Sequence, residues 1–196
     1  MRKVVVVDNT ALINLTILRD FSIFNLLKNL FFQIHIPTKV KSEYEFMLRH
    51  KPERAWLLEK LKPNAGFYSF CTRYDSIVLC TIQTVKDIDA GEAEAVAQFL
   101  KVNANYILSD DHRFTIALKM KEPNIKVLST LHILAILDLN RITLDVDKLI
   151  QVLYKERPFS KSKLRKAYVD SHIELGIRMS KKWVDKKCDF ARLKVT

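Results

Sequence analysis

The chain predicts an α/β protein: a three-layer sandwich with a central parallel sheet, followed by a basic helical C-terminal extension. Three observations lead there. Short apolar runs rich in β-branched residues alternate along the chain with segments of helical periodicity, the pattern of a parallel sheet covered on both faces. Two of those runs end in carboxylates, Val4-Val5-Val6-Val7 into Asp8 and Tyr106-Ile107-Leu108-Ser109 into Asp110-Asp111. The formal net charge of +11 is concentrated near the end of a 196-residue chain that is 48% hydrophobic. Such a chain buries a sizeable core, and a domain over residues 1–155 with an extension over 156–196 is the expected organisation.

Taken in order, Val4 to Val7 reads as a buried strand and Thr10 to Leu30 as helical in composition. Phe31 to Ile36 is a second strand, stopped by Pro37 at a helix start. Thr38 to His50 reads as a helix whose apolar stripe is Val40, Tyr44, Met47 and Leu48, at i, i+4, i+7 and i+8. Pro52 and the turn Pro63-Asn64-Ala65-Gly66 bracket another helix. Phe67 to Phe70 is a short strand, Asp75 to Val85 a helix, Asp89 to Lys101 a helix and Asn105 to Ser109 a strand. His112 to Lys121 forms a helix ended by Pro123-Asn124. Ile125 to Leu128 is the last strand, with Ser129 or Thr130 capping a helix around Leu131 to Leu139. There is no internal repeat and no low-complexity segment.

Composition also sets the compartment expected. Cys71, Cys80 and Cys188 are odd in number, far apart and without zinc-ligand spacing, so they read as reduced thiols of an intracellular protein. Met1-Arg2-Lys3 before four valines resembles a signal peptide only superficially, because the apolar run is too short and no small-residue cleavage site follows. No stretch is long enough to span a bilayer. A soluble cytoplasmic protein without a membrane partner is expected.

The acids occupy definite addresses. In an open α/β sheet, ligands bind outside the carboxyl ends of the strands, which is where Asp8, Asp110 and Asp111 fall. Glu43 sits beside the Val40/Tyr44/Met47 stripe, at the edge of a buried face, whereas Glu45 projects further from it. Glu92 and Glu94 flank the Ala93/Val96/Ala97/Leu100 stripe on opposite sides, and helical geometry does not choose between them. Each acid taken alone has an ordinary explanation, as a helix N-cap or a favourable first-turn charge. The joint pattern, acids gathered inside a basic protein, points to a metal held against a polyanion.

The excess charge lies in the tail. From Arg157 onward there are twelve basic residues against four acidic ones, a net +8, which leaves +3 for the first 156 residues. Lysines on solvated helix faces and a nucleic-acid surface explain this about equally well. On the second reading Arg165, Lys166, Lys181, Lys182, Lys186 and Lys187 are the expected contacts, with Tyr168, Trp183 and Phe190 interleaved to stack on unpaired bases. Individually these aromatics fit better as packing residues, since Leu164, Tyr168 and Leu175 share the apolar face of a helix ending near Gly176.

Four fragments in order carry a family resemblance: Val4-Val5-Val6-Val7-Asp8-Asn9-Thr10; Ile36-Pro37-Thr38-Lys39-Val40-Lys41-Ser42-Glu43; Asp89-Ala90-Gly91-Glu92-Ala93-Glu94-Ala95; and Ile107-Leu108-Ser109-Asp110-Asp111-His112-Arg113-Phe114. Together they resemble the PIN domains, a fold of metal-dependent nucleases that includes the VapC toxins of toxin–antitoxin pairs. The resemblance covers roughly residues 1 to 155 by chain order, and Arg157-Pro158-Phe159-Ser160 onward also looks like the end of one subgroup. It implies catalytic acids at Asp8, Glu43, Glu92 and Asp111, with Asp110 beside the last, and a magnesium or manganese cofactor held by these five. Many members carry a further Asp just before the phenylalanine of the last motif, where this chain has Arg113, a departure that weakens a second metal site. It further implies an RNA substrate, an antitoxin partner and a homodimer.

The chemistry suits these residues. Crowded carboxylates repel one another unless a cation neutralises them, and magnesium or manganese takes oxygen ligands. His35, His50, His112, His132 and His172 are scattered, without H-E-x-x-H spacing, and read as surface or packing residues. The function expected is a divalent-metal-dependent endoribonuclease that hydrolyses phosphodiester bonds. The alternative is a non-catalytic RNA-binding module on the same fold. A haloacid-dehalogenase-type phosphatase also begins with a strand and Asp, but it wants a second Asp where Thr10 stands.

Overall fold

The structure is a computed structural model that describes residues 3–18, 23–57, 67–71, 74–142 and 145–189. Strands β1 (Lys3–Val7), β2 (Phe31–Pro37), β3 (Tyr68–Cys71), β4 (Tyr106–Leu108) and β5 (Val127–Leu128) form one parallel sheet in the order β3-β2-β1-β4-β5. Ten α-helices are described: α1 (Asn9–Ile17), α2 (Ile23–Leu30), α3 (Thr38–Met47), α4 (Ser76–Gln83), α5 (Ala90–Val102), α6 (His112–Lys121), α7 (Thr130–Leu139), α8 (Val146–Glu156), α9 (Lys161–Leu175) and α10 (Lys181–Lys187). The α/β sandwich with a central parallel sheet is as predicted.

The period-2 pleat divides the core. Val5 and Val7 of β1 join α1, α2, α3, α7, α8 and α9 on one face, while Val6 meets Ala95 of α5 on the other. In β4, Tyr106 and Leu108 face the first side, and Ile107 packs with Ala93, Val96, Phe114 and Leu118 on the second. A strand buried on both faces needs apolar residues at every position, which is why β1 is an uninterrupted valine run. Val5, Val6 and Val7 are essentially inaccessible, and burying each contributes roughly 1.5–3 kcal/mol.

Several elements differ in detail from the sequence reading. The helical stretch after β1 carries two helices, α1 and α2, and α3 ends at Met47. Residues 58–66, including the turn at Pro63-Asn64-Ala65-Gly66, lie outside the described residues; before them Pro52–Arg54 is a single 3-10 turn. Ser129 rather than Thr130 caps α7, in a capping box completed by His132. Helix α8 was not anticipated, although Val146, Leu149, Ile150 and Leu153 form its buried stripe. Gly176 ends α9 in the left-handed conformation, φ 66°, which a residue without Cβ adopts freely. Among the described residues, no helix is long and apolar enough to cross a membrane.

The basic tail packs onto this body. Helix α9 lies along α7, with Leu164, Ala167 and Tyr168 buried. The Tyr168 hydroxyl donates to Asp138 at 2.7 Å, and Trp183 of α10 meets the Tyr168 ring edge-on at 5.6 Å. Tyr168 is therefore a core residue and not a base-stacking platform, and Trp183 docks α10 against it. Phe190 lies outside the described residues.

Candidate active site

The strand order reverses between β1 and β4: β2 and β3 add on one side of β1, and the chain then returns to place β4 and β5 on the other. At such a switch point the helices leaving the two strands diverge and open a crevice at the strand carboxyl ends. Register brings acids to its mouth. Val7 pairs with Leu108, and the Asp8 N–H continues the ladder to the Leu108 carbonyl at 2.9 Å, so Asp8 and Ser109 emerge level with each other.

Asp8 is 3% exposed and held by two hydroxyls. Thr10 Oγ1 donates to Asp8 Oδ2 at 2.7 Å, and Ser109 Oγ donates to the same oxygen at 2.9 Å. The Asp110 N–H in turn donates to Thr10 Oγ1 at 3.0 Å, and the Asp111 N–H to Ser109 Oγ at 3.1 Å. These hydroxyls tie the two strand ends together and use only Oδ2 of the carboxylate. Burial raises the Asp8 pKa, and the bonds from Thr10 and Ser109 offset part of the rise.

Asp110 and Asp111 take different directions. Asp110 turns toward α1 and α7: Asn14 Nδ2 donates to its Oδ2 at 2.8 Å, the Thr130 N–H donates to its Oδ1 at 2.9 Å, and the Thr130 hydroxyl donates to Oδ2. It pins the start of α7. Asp111 caps α6, its Oδ1 accepting from the N–H groups of Arg113 at 2.7 Å and Phe114 at 3.0 Å, and its charge acts on Glu92.

The two glutamates of α5 also divide. Glu94 lies against α3 and accepts from the Lys39 N–H and the Tyr74 hydroxyl. Glu92 completes a capping box: its Oε2 accepts from the Asp89 N–H at 2.9 Å, while Asp89 Oδ1 accepts from the Glu92 N–H at 2.8 Å. Across the crevice, Glu43 of α3 rests on Gly91. A Cβ at position 91 would stand 2.8 and 2.9 Å from the two Glu43 carboxylate oxygens, so the glycine leaves the notch that this side chain fills. Glu45 points away and pairs with Lys41 at 3.6 Å.

Asp8, Glu43, Asp89, Glu92, Glu94 and Asp111 thus share one field. Burial pushes Glu92 up to about 8; the hydrogen bond from Asp89 opposes this, and the charges of Asp89, Asp8 and Asp111 add to it. Burial also raises Glu43, followed by Asp89 and Asp8, with Lys39 opposing. Among the described residues, no three His, Cys, Asp or Glu side chains stand close enough to hold one ion as placed. The four acids expected to converge share electrostatics but do not close a coordination sphere, as mutually repelling carboxylates would not. Their donor chemistry fits magnesium or manganese: the donors are all oxygen, and Gly91 gives one of them room.

Sequence reasoning missed Asp89, whose spacing to Glu92 is that of a capping box, and the hydroxyls of Thr10 and Ser109, which carry no motif of their own. Arg113 is exposed, and with Val85, Ile116 and Met120 it lines a groove on the outer side of α6. Among the tail cations, Arg165 pairs with Asp185 at 2.6 Å and Lys166 with Asp170 at 2.8 Å. Lys187 is half-buried and bridges Asp138 at 3.0 Å and Asp147 at 3.2 Å. Its charge fastens α10 to α7 and α8, a structural use that the count of tail cations did not reveal. Lys181, Lys182 and Lys186 are exposed.

Neither a search of curated proteins nor a search of solved structures returns a significant match. A family model described as a PIN domain, a nuclease-type fold, matches residues 4–174, from β1 through nearly all of α9. The chain belongs to the PIN-domain family.

Proposed function

We propose that the protein is a divalent-metal-dependent endoribonuclease that hydrolyses RNA phosphodiester bonds. The observation that carries this reading is the carboxylate group at the switch point, uncompensated enough that burial and like charge hold Glu92 near a pKa of 8. Oxygen donors gathered in this way suit a hard divalent cation, which lowers their mutual repulsion. Asp8, Glu92 and Asp111 would hold magnesium or manganese, with Glu43 reaching it directly or through water. When bound, the ion supplies Lewis acidity, a more acidic water and stabilisation of charge on the leaving oxygen.

The chain's own residues do the positioning. Thr10 and Ser109 fix the Asp8 carboxylate through Oδ2. Gly91 seats Glu43. Asp110 and Glu94 hold α7 and α3 in place around the crevice. The net +8 of the tail supplies a surface for a polyanion by counterion release, with Lys181, Lys182 and Lys186 as exposed contributors. A cytoplasmic toxin role, with an antitoxin partner and a homodimeric state, rests on the family relationship. Growth arrest on expression, relieved by a small co-encoded protein, tests it, and expression that never slows growth counts against it.

The decisive assay incubates purified protein with single-stranded RNA and manganese beside Asp8→Asn and Asp111→Asn. Both variants are expected to lose cleavage by about 10²-fold or more. Equal cleavage by all three would sink the assignment of the site. Tight RNA binding without cleavage by the wild type would favour a non-catalytic RNA-binding module.

A further inference from the structure

A concavity adjoins the candidate active site, with Ser109, Asp110 and Asp111 in its lining. It is a cleft of about 310 Å³ between α6 and the junction of α8 with α9. One wall is Asp111 and Thr115, the floor is Val127, Leu131 and Leu153, and the outer rim carries Arg157, Lys163 and Lys166. Phe159 also lines the cleft; it is half-buried, packs against the core and stands edge-on to Tyr154 at 5.3 Å. Arg157 and Lys163 are exposed and form no ion pair among the described residues, whereas Lys166 is shared with Asp170. At the inner end, Asn14 is 6% exposed; it gives Nδ2 to Asp110, but its Oδ1 is buried without a hydrogen-bond partner.

The cleft is therefore polarised: cations outside, apolar surface beneath, and acceptors at the inner end beside the acids. A nucleotide has that order of parts, an anionic phosphate, a flat apolar ring, and hydroxyl or amino donors. A free phosphate or other small anion would leave the floor and the inner acceptors unused. Asp111 belongs both to this wall and to the field around Glu92, so an occupant of the cleft lies next to the acidic crevice. We propose that this cleft seats the nucleotide adjoining the scissile bond of single-stranded RNA, its phosphate on Arg157 and Lys163, its base over Phe159 and the floor, and its donors toward Asn14. The assignment rests on the ribonuclease reading for its substrate but not for its test.

The test is fluorescence anisotropy of a labelled single-stranded RNA pentamer with the full chain in EDTA, where no cleavage intervenes. Arg157→Ala/Lys163→Ala is expected to weaken binding about tenfold or more and to reduce the slope of log affinity against log salt by about 0.7, the share of the one phosphate that both cations hold. Phe159→Leu, which keeps apolar volume but removes the stacking face, is expected to lose roughly fivefold or more. Lys101→Ala/Lys119→Ala removes the same charge from the last turns of α5 and α6, at the other end of the sheet, and should stay within about twofold. Asp8→Asn should keep or raise affinity, which separates this result from any failure of hydrolysis. Wild-type affinity and slope in the cleft double variant, or an equal loss in the distal control, would overturn the proposal.

Discussion

Glu92 and Glu174 are glutamates at opposite ends of the same sheet, and their carboxyls are displaced in opposite directions. At the end where the strands begin, burial works against Glu174, but Lys126 donates to it at 2.8 Å, the Tyr106 hydroxyl donates as well and Lys3 stands at 3.4 Å. Together they pull its pKa down to about 2. At the end where the strands finish, burial and three neighbouring carboxylates take Glu92 up to about 8. The first end is closed by the protein's own cations. At the second, among the described residues, no cation forms an ion pair with Asp8, Glu92 or Asp111, and this end lies at the topological switch point. A charge that a structure neutralises is scaffold; one that it leaves open at a crevice is offered to a ligand.

Variants can break this comparison. The largest effect is expected from Asp8→Asn, which should lower manganese-dependent RNA cleavage by about 10²–10³-fold, while Glu174→Gln leaves the rate within about twofold; initial rates on one labelled RNA check both. Gly91→Ala comes next. Alanine favours helix by up to about 1 kcal/mol over glycine, so the fold should hold, but the new Cβ must push the Glu43 carboxylate aside. Cleavage should fall about 10- to 100-fold at an unchanged or higher unfolding temperature. A loss of both together would mean that Gly91 serves packing and not the seating of Glu43.

The split between the two ends also marks what the sequence could disclose. Strand positions were legible because burial on both faces demands apolar runs such as Val4 to Val7, and Glu43 was legible because a buried stripe gives a helix an inside. Asp110 against Asp111 was not, because adjacent residues leaving a strand turn to opposite sides and their partners, Thr130 and Glu92, come from distant helices. Glu92 against Glu94 was hidden for the same reason: the distinction lies in the Lys39 N–H and the Tyr74 hydroxyl that occupy Glu94. Lys187 was counted with the surface cations because composition does not reveal ion pairs with Asp138 and Asp147. Helix α8 carried its stripe in plain view at Val146, Leu149, Ile150 and Leu153.

Smaller effects sharpen the contrast through pH. The native Glu92 carboxyl, raised to about 8, keeps its proton where the unfolded chain has released it. Metal-free protein therefore loses stability as pH rises from about 4.5 to about 8. Glu92→Gln should reduce this slope, leaving the smaller part that Asp8 and Glu43 carry, and at pH 8 in EDTA should exceed the wild type by about 1–3 kcal/mol in urea unfolding. Glu174 has the opposite sign: its contribution is complete above about pH 4.5 and is lost as pH falls toward about 2. Glu174→Gln should cost about 1–2 kcal/mol at pH 7, less than the full shift because Lys126 is 61% exposed and water screens the pair.

The central claim is that the acids at the strand carboxyl ends demand a divalent cation. Calorimetric titration of the metal-free protein with manganese at pH 8 tests it most directly. Saturable binding by the wild type and by Glu174→Gln, abolished in Asp8→Asn/Glu92→Gln, is the predicted result; no binding by the wild type, or equal binding by the double variant, would contradict it.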